Sequence, residues 1–225
     1  MKVVIQIVLW IVIIFLGYKL YNSVLGPVQF NKEKEVRYRA VIKTLKDVRV
    51  AQLAHQEIAG GFTGNFDSLV QFIDTAQFAI IQRRDTSYAD VEKNRAYGID
   101  EGYFIEETLL DTLGFVPVKD SLFGNSDRYK TMMNVPVEGS DAQFEMEAGT
   151  LEKNGTIYSV FECKVAKDVI LYDKDKDLVA QEKQVNSVDG VNGEYIKIGS
   201  MDEINTSGSW PKLYDTNPEN SNSGN

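Results

Sequence analysis

"VVIQIVLWIVIIFLGYKLYNSVLGPV" (3–28) decides the fold of this chain, because nothing after it is as long or as uniformly apolar. From Val3 to Leu16 the only residue that is not apolar is Gln6. A helix built from this Val- and Ile-rich run has no polar face to turn toward water. Counted from Val3 to Leu25 it holds 23 residues. As a helix these reach about 35 Å, enough to cross the hydrocarbon layer of a bilayer with some tilt. Tyr18 and Tyr21 suit the membrane–water interface, and Lys19 can snorkel toward it. A cleaved signal peptide would end in small residues, whereas the exit here, "LGYKLYNSV", is bulky. A core helix with this composition would need an apolar shell on every side, which a small acidic protein has little means to supply. The expectation is therefore a transmembrane anchor over residues 1–25, marked by Val3, Gln6, Trp10, Phe15, Tyr18, Lys19 and Tyr21.

Working outward, the whole chain has 225 residues and a formal net charge of -9. Its first 25 residues add only Lys2 and Lys19, so the rest carries about -11. Such a domain repels phosphates, and no arginine or lysine stripe with interleaved aromatics offsets this, so nucleic acid is excluded as a partner. There is one cysteine, Cys163, and one histidine, His55. No internal disulfide can form, and "YSVFECKVA" (158–166) reads as a strand in which Cys163 is a small buried hydrophobe.

After the anchor, a long helix is expected over about 31–59, ended by Gly60 and Gly61. Tyr38, Val41, Leu45, Val48, Ala51 and Ile58 recur at helical spacing, with Ile42 and Leu53 flanking. Tyr38, Val41, Leu45, Val48 and Ile58 form its contact face, while Arg37, Arg39, Lys43 and Lys46 read as a solvated or membrane-surface face. Pro27 suits a kink or first turn between anchor and soluble helix. A short helix follows at about 66–74, and the chain is mainly β from about 76. "AQFAIIQRRD" (76–85) reads as a strand, and so does Glu107–Leu113. "AQFEMEAGTLE" (142–152) and "GTIYSVFECKVA" (155–166), joined at Lys153-Asn154-Gly155, carry a hairpin signature. "DVILYDKDKDLVAQEKQV" (168–185) suggests a further strand–turn–strand, and "GEYIKIGSMDE" (193–203) one more extended piece. Residues 26–216 read as one soluble α+β unit, followed by a polar tail, 217–225, expected to be disordered.

The chemistry-bearing motifs are few. Asp173, Asp175 and Asp177 have the first offsets of a calcium loop, but Leu178 and Gln184 stand where its glycine and glutamate belong. A weak metal site there competes with a plain charged turn. Glu106, Glu107 and Asp111 could form an acid/base set only inside a cleft, and otherwise read as solvated acids. No nucleophile elbow, phosphate loop or zinc-binding helix motif occurs, so no catalytic residue and no cofactor is expected, and the chain reads as a non-enzyme. Trp210 and Tyr214 in "GSWPKLYD" (208–215) either seat the tail or meet a partner.

"LKDVRVAQLAHQEIAGGFTGNFDSLVQFI" (45–73) resembles the pseudopilin passage in which a long helix ends at a glycine and an aromatic and leads into a short helix. With the apolar start and the "GSWPKLYD" close, the chain is similar in order of elements to type IV pilins and type II secretion pseudopilins. Through "FNKEKEVRY" (30–38) and a "GSFDSL"-like segment at 64–69 it also resembles a set of membrane-anchored proteins of Bacteroidota-type bacteria. The pilin resemblance implies a pilin-like α+β fold: a transmembrane helix continuing into a long amphipathic helix packed on a C-terminal antiparallel β-sheet. It departs at the start, where no prepilin-peptidase site precedes the apolar run and Gln6 stands near the place of the family's helix glutamate. An amide can hydrogen-bond between helices but cannot supply that charge. The resemblance thus implies a pilin-like shape more than pilus polymerisation.

Two functions follow as expectations. One is a structural, filament- or secretion-type component of a bacterial envelope assembly, bound to the inner membrane and partnered by itself or by other envelope subunits. The alternative is a tethered, non-polymeric binding or sensor module using the Asp173–Asp177 turn. The resemblance implies a single-pass protein with its soluble part in the periplasm. Lys19, Lys32, Lys34, Arg37 and Arg39 after the span, read by the positive-inside rule, argue for the cytoplasm instead.

Overall fold

The computed structural model describes residues 2–100, 102–186 and 188–215. The elements are α1 (Lys2–Ala59), α2 (Phe66–Thr75), β1 (Gln77–Ala89), α3 (Val91–Ala96), β2 (Phe104–Pro117), α4 (Val118–Phe123), β3 (Glu145–Lys153), β4 (Thr156–Ala166), α5 (Lys167–Ile170), α6 (Lys176–Glu182) and β5 (Tyr195–Gly199). The fold is α+β, with a long helix first and two small antiparallel sheets, β1–β2 and β3–β4–β5. The chain divides into two compact units, Met1–Leu69 with Asp127–Asn225, and Val70–Ser126, where the sequence reads as one. The tail expected to be disordered, 217–225, lies outside the described residues.

Helix α1 has 58 residues and runs through Pro27 without interruption, a length of about 87 Å. A proline forfeits one backbone bond and crowds the carbonyl four residues back. In a helix this long that single loss does not separate anchor from soluble part, so the soluble helix does not start afresh near Asn31. The two halves differ in what surrounds them. In the first, Val3, Trp10, Phe15, Tyr18 and Tyr21 are exposed; in the second, Tyr38, Val41, Ile42, Leu45, Val48, Ala51 and Ala54 are buried. Leu53 and Ile58 are exposed, off the buried seam.

Gln52 lies on that seam, fully buried. Its amide is satisfied by one backbone unit: Nε2–H donates to the Thr63 carbonyl at 2.5 Å, and Oε1 accepts the Thr63 N–H at 3.1 Å. Nδ1 of His55 bonds the Gly61 carbonyl at 2.6 Å. These two side chains hold the chain as it leaves the helix at Gly60, whose φ of +82° suits glycine. Phe62 then stacks on Phe161 of β4 with ring centres 4.7 Å apart.

The β3–β4 hairpin forms where the Asn-Gly signal lies. Lys153 pairs with Thr156, and Asn154 (φ 55°) and Gly155 (φ 76°) make the two-residue turn. Strand β4 is central, antiparallel to β3 and β5. Val160, Phe161, Cys163 and Val165 on it are buried, with Ile196 and Ile198 of β5.

The strand–turn–strand expected at 168–185 is instead two helices, α5 and α6. The oxygen of Asp175 accepts the N–H groups of Asp177 and Leu178, capping α6. That cap, followed by Leu, Ala, Gln and Glu, outweighs the turn suggested by the alternating charges.

The second unit holds a long two-stranded ribbon, paired from Gln77–Pro117 to Ala89–Phe104 with one irregularity between Ile80 and Ile81. Its polar connector is ordered by α3. Asp90 caps that helix through the Lys93 N–H, and buried Asn94 pairs its amide with both the N–H (2.7 Å) and the carbonyl (3.0 Å) of Tyr103. After Pro117 the chain turns helical at Val118, opening α4.

Candidate anchor and interaction surfaces

The apolar half of α1 is long and apolar enough to cross a membrane, and its most apolar stretch is not buried within the protein. Val3, Gln6, Trp10, Phe15, Tyr18, Lys19 and Tyr21 are all exposed along it. Buried nowhere within the protein, these side chains suit a surrounding of lipid. The chain is a membrane-associated protein built as one apolar helix and a β-rich soluble part.

Beyond the apolar stretch, a belt of charge pairs ties α1 to the segment around α5 and α6. Lys34 meets Glu182 at 2.7 Å, Arg37 grips both oxygens of Asp173 at 2.5 and 2.9 Å, and Lys174 pairs with Glu33. Nη1 of Arg37 also donates to the Ile170 carbonyl at 2.8 Å. The Arg37 guanidinium holds the Asp173 carboxyl well below the usual carboxylate range, with Lys174 adding to it. A two-pronged arginine–carboxylate grip is the strong form of such a pair. The acids at 173, 175 and 177 are therefore divided in their roles: Asp173 faces Arg37, Asp175 caps α6, and Asp177 is exposed. Among the described residues no group of three or more His, Cys, Asp or Glu is placed to hold a metal ion.

The Asp173–Arg37 pair sets an acid limb on stability. Because the folded carboxyl titrates below the unfolded one, at about 4, the stabilisation is complete above that value and fades as pH falls toward the folded pKa. Asp173→Asn should lower the melting temperature at pH 7, and its difference from the wild type should shrink steadily between pH 5 and pH 2.5 in thermal melts.

Beneath the belt lies Lys167, at the first position of α5 and fully buried. Its Nζ donates to the carbonyls of Glu182 (2.6 Å) and Val191, with the Glu182 carboxylate 3.6 Å away and the Tyr38 ring beside it. Burial lowers the Lys167 pKa, against the opposing pull of Glu182. Burial also raises the Tyr38 hydroxyl above its ordinary value, with Glu182 adding to the shift. Lys167 and Gln52 were not legible as core residues. A lysine or glutamine reads as surface until the carbonyls and amides that satisfy it are placed.

Tyr38, Val41, Leu45 and Val48 of the contact face lie against the folded unit itself, while Ile58 is exposed. Trp210 and Tyr214 sit where the chain closes back on α1. Tyr214 stacks near Tyr38 at 6.4 Å and under Arg39 at 5.5 Å. Trp210 Nε1–H donates to Asp215 at 3.0 Å, and Asp215 pairs with Lys46 at 2.7 Å. Arg39 also bonds Glu35 at 2.9 Å, so the basic residues of the solvated face are largely engaged within the protein. Cys163 is fully buried, and burial pushes its thiol pKa up, away from reactivity.

One open cleft, of about 680 Å³, lies along α1. It runs between Gln29, Lys32, Glu33, Val36, Arg37 and Ala40 on the helix and Pro136–Glu138 opposite. No family model, curated protein or solved structure matches the chain.

Proposed function

We propose that this protein is a structural component of a bacterial envelope assembly, pilin- or pseudopilin-like in build, held by its amino-terminal helix in the inner membrane. The supporting observation is α1 itself. One uninterrupted helix is bare and apolar over its first half and serves as the buried spine of a folded unit over its second. A stiff rod of that kind places a folded unit at a set distance from a bilayer, which is a mechanical rather than a chemical task. The protein does so without catalysis, in the periplasm, with its own copies or other envelope subunits as partners.

A second reading, a tethered binding module, is favoured by the open cleft along α1. The two readings separate by mass. In mild detergent, light scattering should return a multiple of the 25.3 kDa chain; a strict monomer at all concentrations would favour the tethered module. The anchor is tested by fractionation. The full chain should stay in the membrane pellet after an alkaline wash, and Leu9→Arg with Ile13→Arg should release it, since each arginine at a helix centre costs about 2.5–3.5 kcal/mol of insertion. Protease added to intact spheroplasts should cut the soluble part if it is periplasmic and spare it if it is cytoplasmic.

A further inference from the structure

The β1–β2 ribbon is 13 and 14 residues long, and among the described residues no third strand joins either side. Both outer edges therefore present unpaired backbone N–H and C=O groups. Six of its apolar residues come as adjacent pairs, Ile80-Ile81, Phe104-Ile105 and Leu109-Leu110, so both faces carry them. These six side chains are 40–66% exposed. A strand with one face on a core alternates apolar with polar; this one does not. A ribbon of two strands is also marginal by itself and gains from further strands.

The charges are divided by strand. β1 holds Arg83, Arg84 and Asp85; β2 holds Glu106, Glu107 and Asp111. Arg83 is engaged with Asp85 at 3.4 Å and near Thr108. Arg84, Glu106, Glu107 and Asp111 make no ion pair among the described residues. β1 is thus an edge with free positive charge, and β2 an edge with three uncompensated acids.

We propose that the free edge of β2 pairs antiparallel with the free edge of β1 in a second copy of this chain, continuing the ribbon from copy to copy. Pairing β2 with β2 would bring six carboxylates together with no base among them, and β1 with β1 would bring four arginines against two aspartates. Only the unlike pairing sets a net positive edge against a net negative one. It repeats the up-and-down alternation of the ribbon, so every copy points the same way, as copies anchored in one bilayer must. The register that puts Arg84 across from Glu107 also puts Ile81 across from Leu110. It differs by two residues from the register within the ribbon, where Ile81 faces Thr112. A shift of two keeps every side chain on its own face. Asp85 then lies across from Glu106, with Arg83 diagonal to Glu106 and beside Asp85. This inference deepens the assembly reading, on which it rests, by naming the partner as another copy and the surface as the ribbon.

The test is charge reversal on the full chain, with mass followed by sedimentation in mild detergent at low salt. Arg84→Glu and Glu107→Arg should each weaken self-association by about tenfold or more. Mixing the two variants, or joining both changes in one chain, should restore it, because each junction again meets opposite charges. Both positions are exposed, and restoration on mixing shows that the single variants are folded. Loss without restoration overturns the proposed pairing. Association unmoved by either reversal overturns the ribbon as the contact and leaves the assembly reading standing, while a wild-type monomer at every concentration overturns both.

Discussion

Gly199→Ala is expected to destabilise the protein by about 3 kcal/mol, lowering the melting temperature by roughly 6–12 °C. Gly199 ends β5 at φ +77°, a conformation that costs a residue with a Cβ about 1–2 kcal/mol. A Cβ there would meet the Phe161 carbonyl oxygen at 2.1 Å. That oxygen belongs to β4, the central strand, which is paired on both sides. Moving it means loosening β3 or β5, and overpacking of that kind costs about 1–3 kcal/mol more. Gly155→Ala is the control. Its φ is +76°, but nothing lies within 4 Å of the added Cβ, so only the conformational cost of about 1 kcal/mol should appear. Thermal melts of both variants in the same detergent give the comparison. Equal, small shifts would mean that the Phe161 carbonyl gives way to a Cβ at Gly199 without loosening the sheet.

Lys167→Met should cost a similar amount, about 3 kcal/mol, by a different route. The methionine fills much the same volume but donates nothing. The Glu182 and Val191 carbonyls then lose the lysine N–H groups that reach them. Glu182 keeps Lys34, so the charge belt above survives and the loss is confined to the buried site. The pH dependence separates this from simple mispacking. Burial lowers the folded pKa of Lys167 below its ordinary 10.5. Between those two values the unfolded chain holds a proton that the folded chain has released, so the lysine's contribution to stability rises with pH across that window. The gap between wild type and Lys167→Met should therefore widen as pH increases through the alkaline range. A gap that stays constant would mean the amine keeps its proton and that its burial is tolerated by hydrogen bonding alone.

The features read directly from the chain are those set by near neighbours. Fourteen residues from Val3 to Leu16 with one polar member announce an apolar helix, whatever follows. Tyr38, Val41, Leu45 and Val48 repeat at helical spacing, and they are the buried seam of α1. Asn154-Gly155 accepts positive φ twice in succession, and the hairpin turns there. Where nearest-neighbour signals competed, the reading missed. The alternating charges of 173–177 suggest a turn, but Asp175 caps a helix. Pro27 suggests a kink or a first turn, and the helix continues through it without starting anew.

The interaction surfaces were legible only in part. Trp210 and Tyr214 stand out by residue type, yet nothing local says that Tyr214 would stack near Tyr38 or that Asp215 would reach Lys46. Glu106 and Glu107 read as solvated acids, and they are exposed; that they line an open strand edge opposite in charge to its neighbour emerged from the register of β1 on β2.

Composition and short-range periodicity were thus enough for the apolar helix, the seam that continues it and the hairpin, because hydrophobic run length, helical spacing and turn chemistry act over a few residues. The burial of Lys167, the grip of Arg37 on Asp173 and the open edges of the ribbon depended on segments brought together from far along the chain. A charged or polar side chain is stable inside only when distant groups arrive to satisfy it, and a strand edge is open only when no other strand comes to close it.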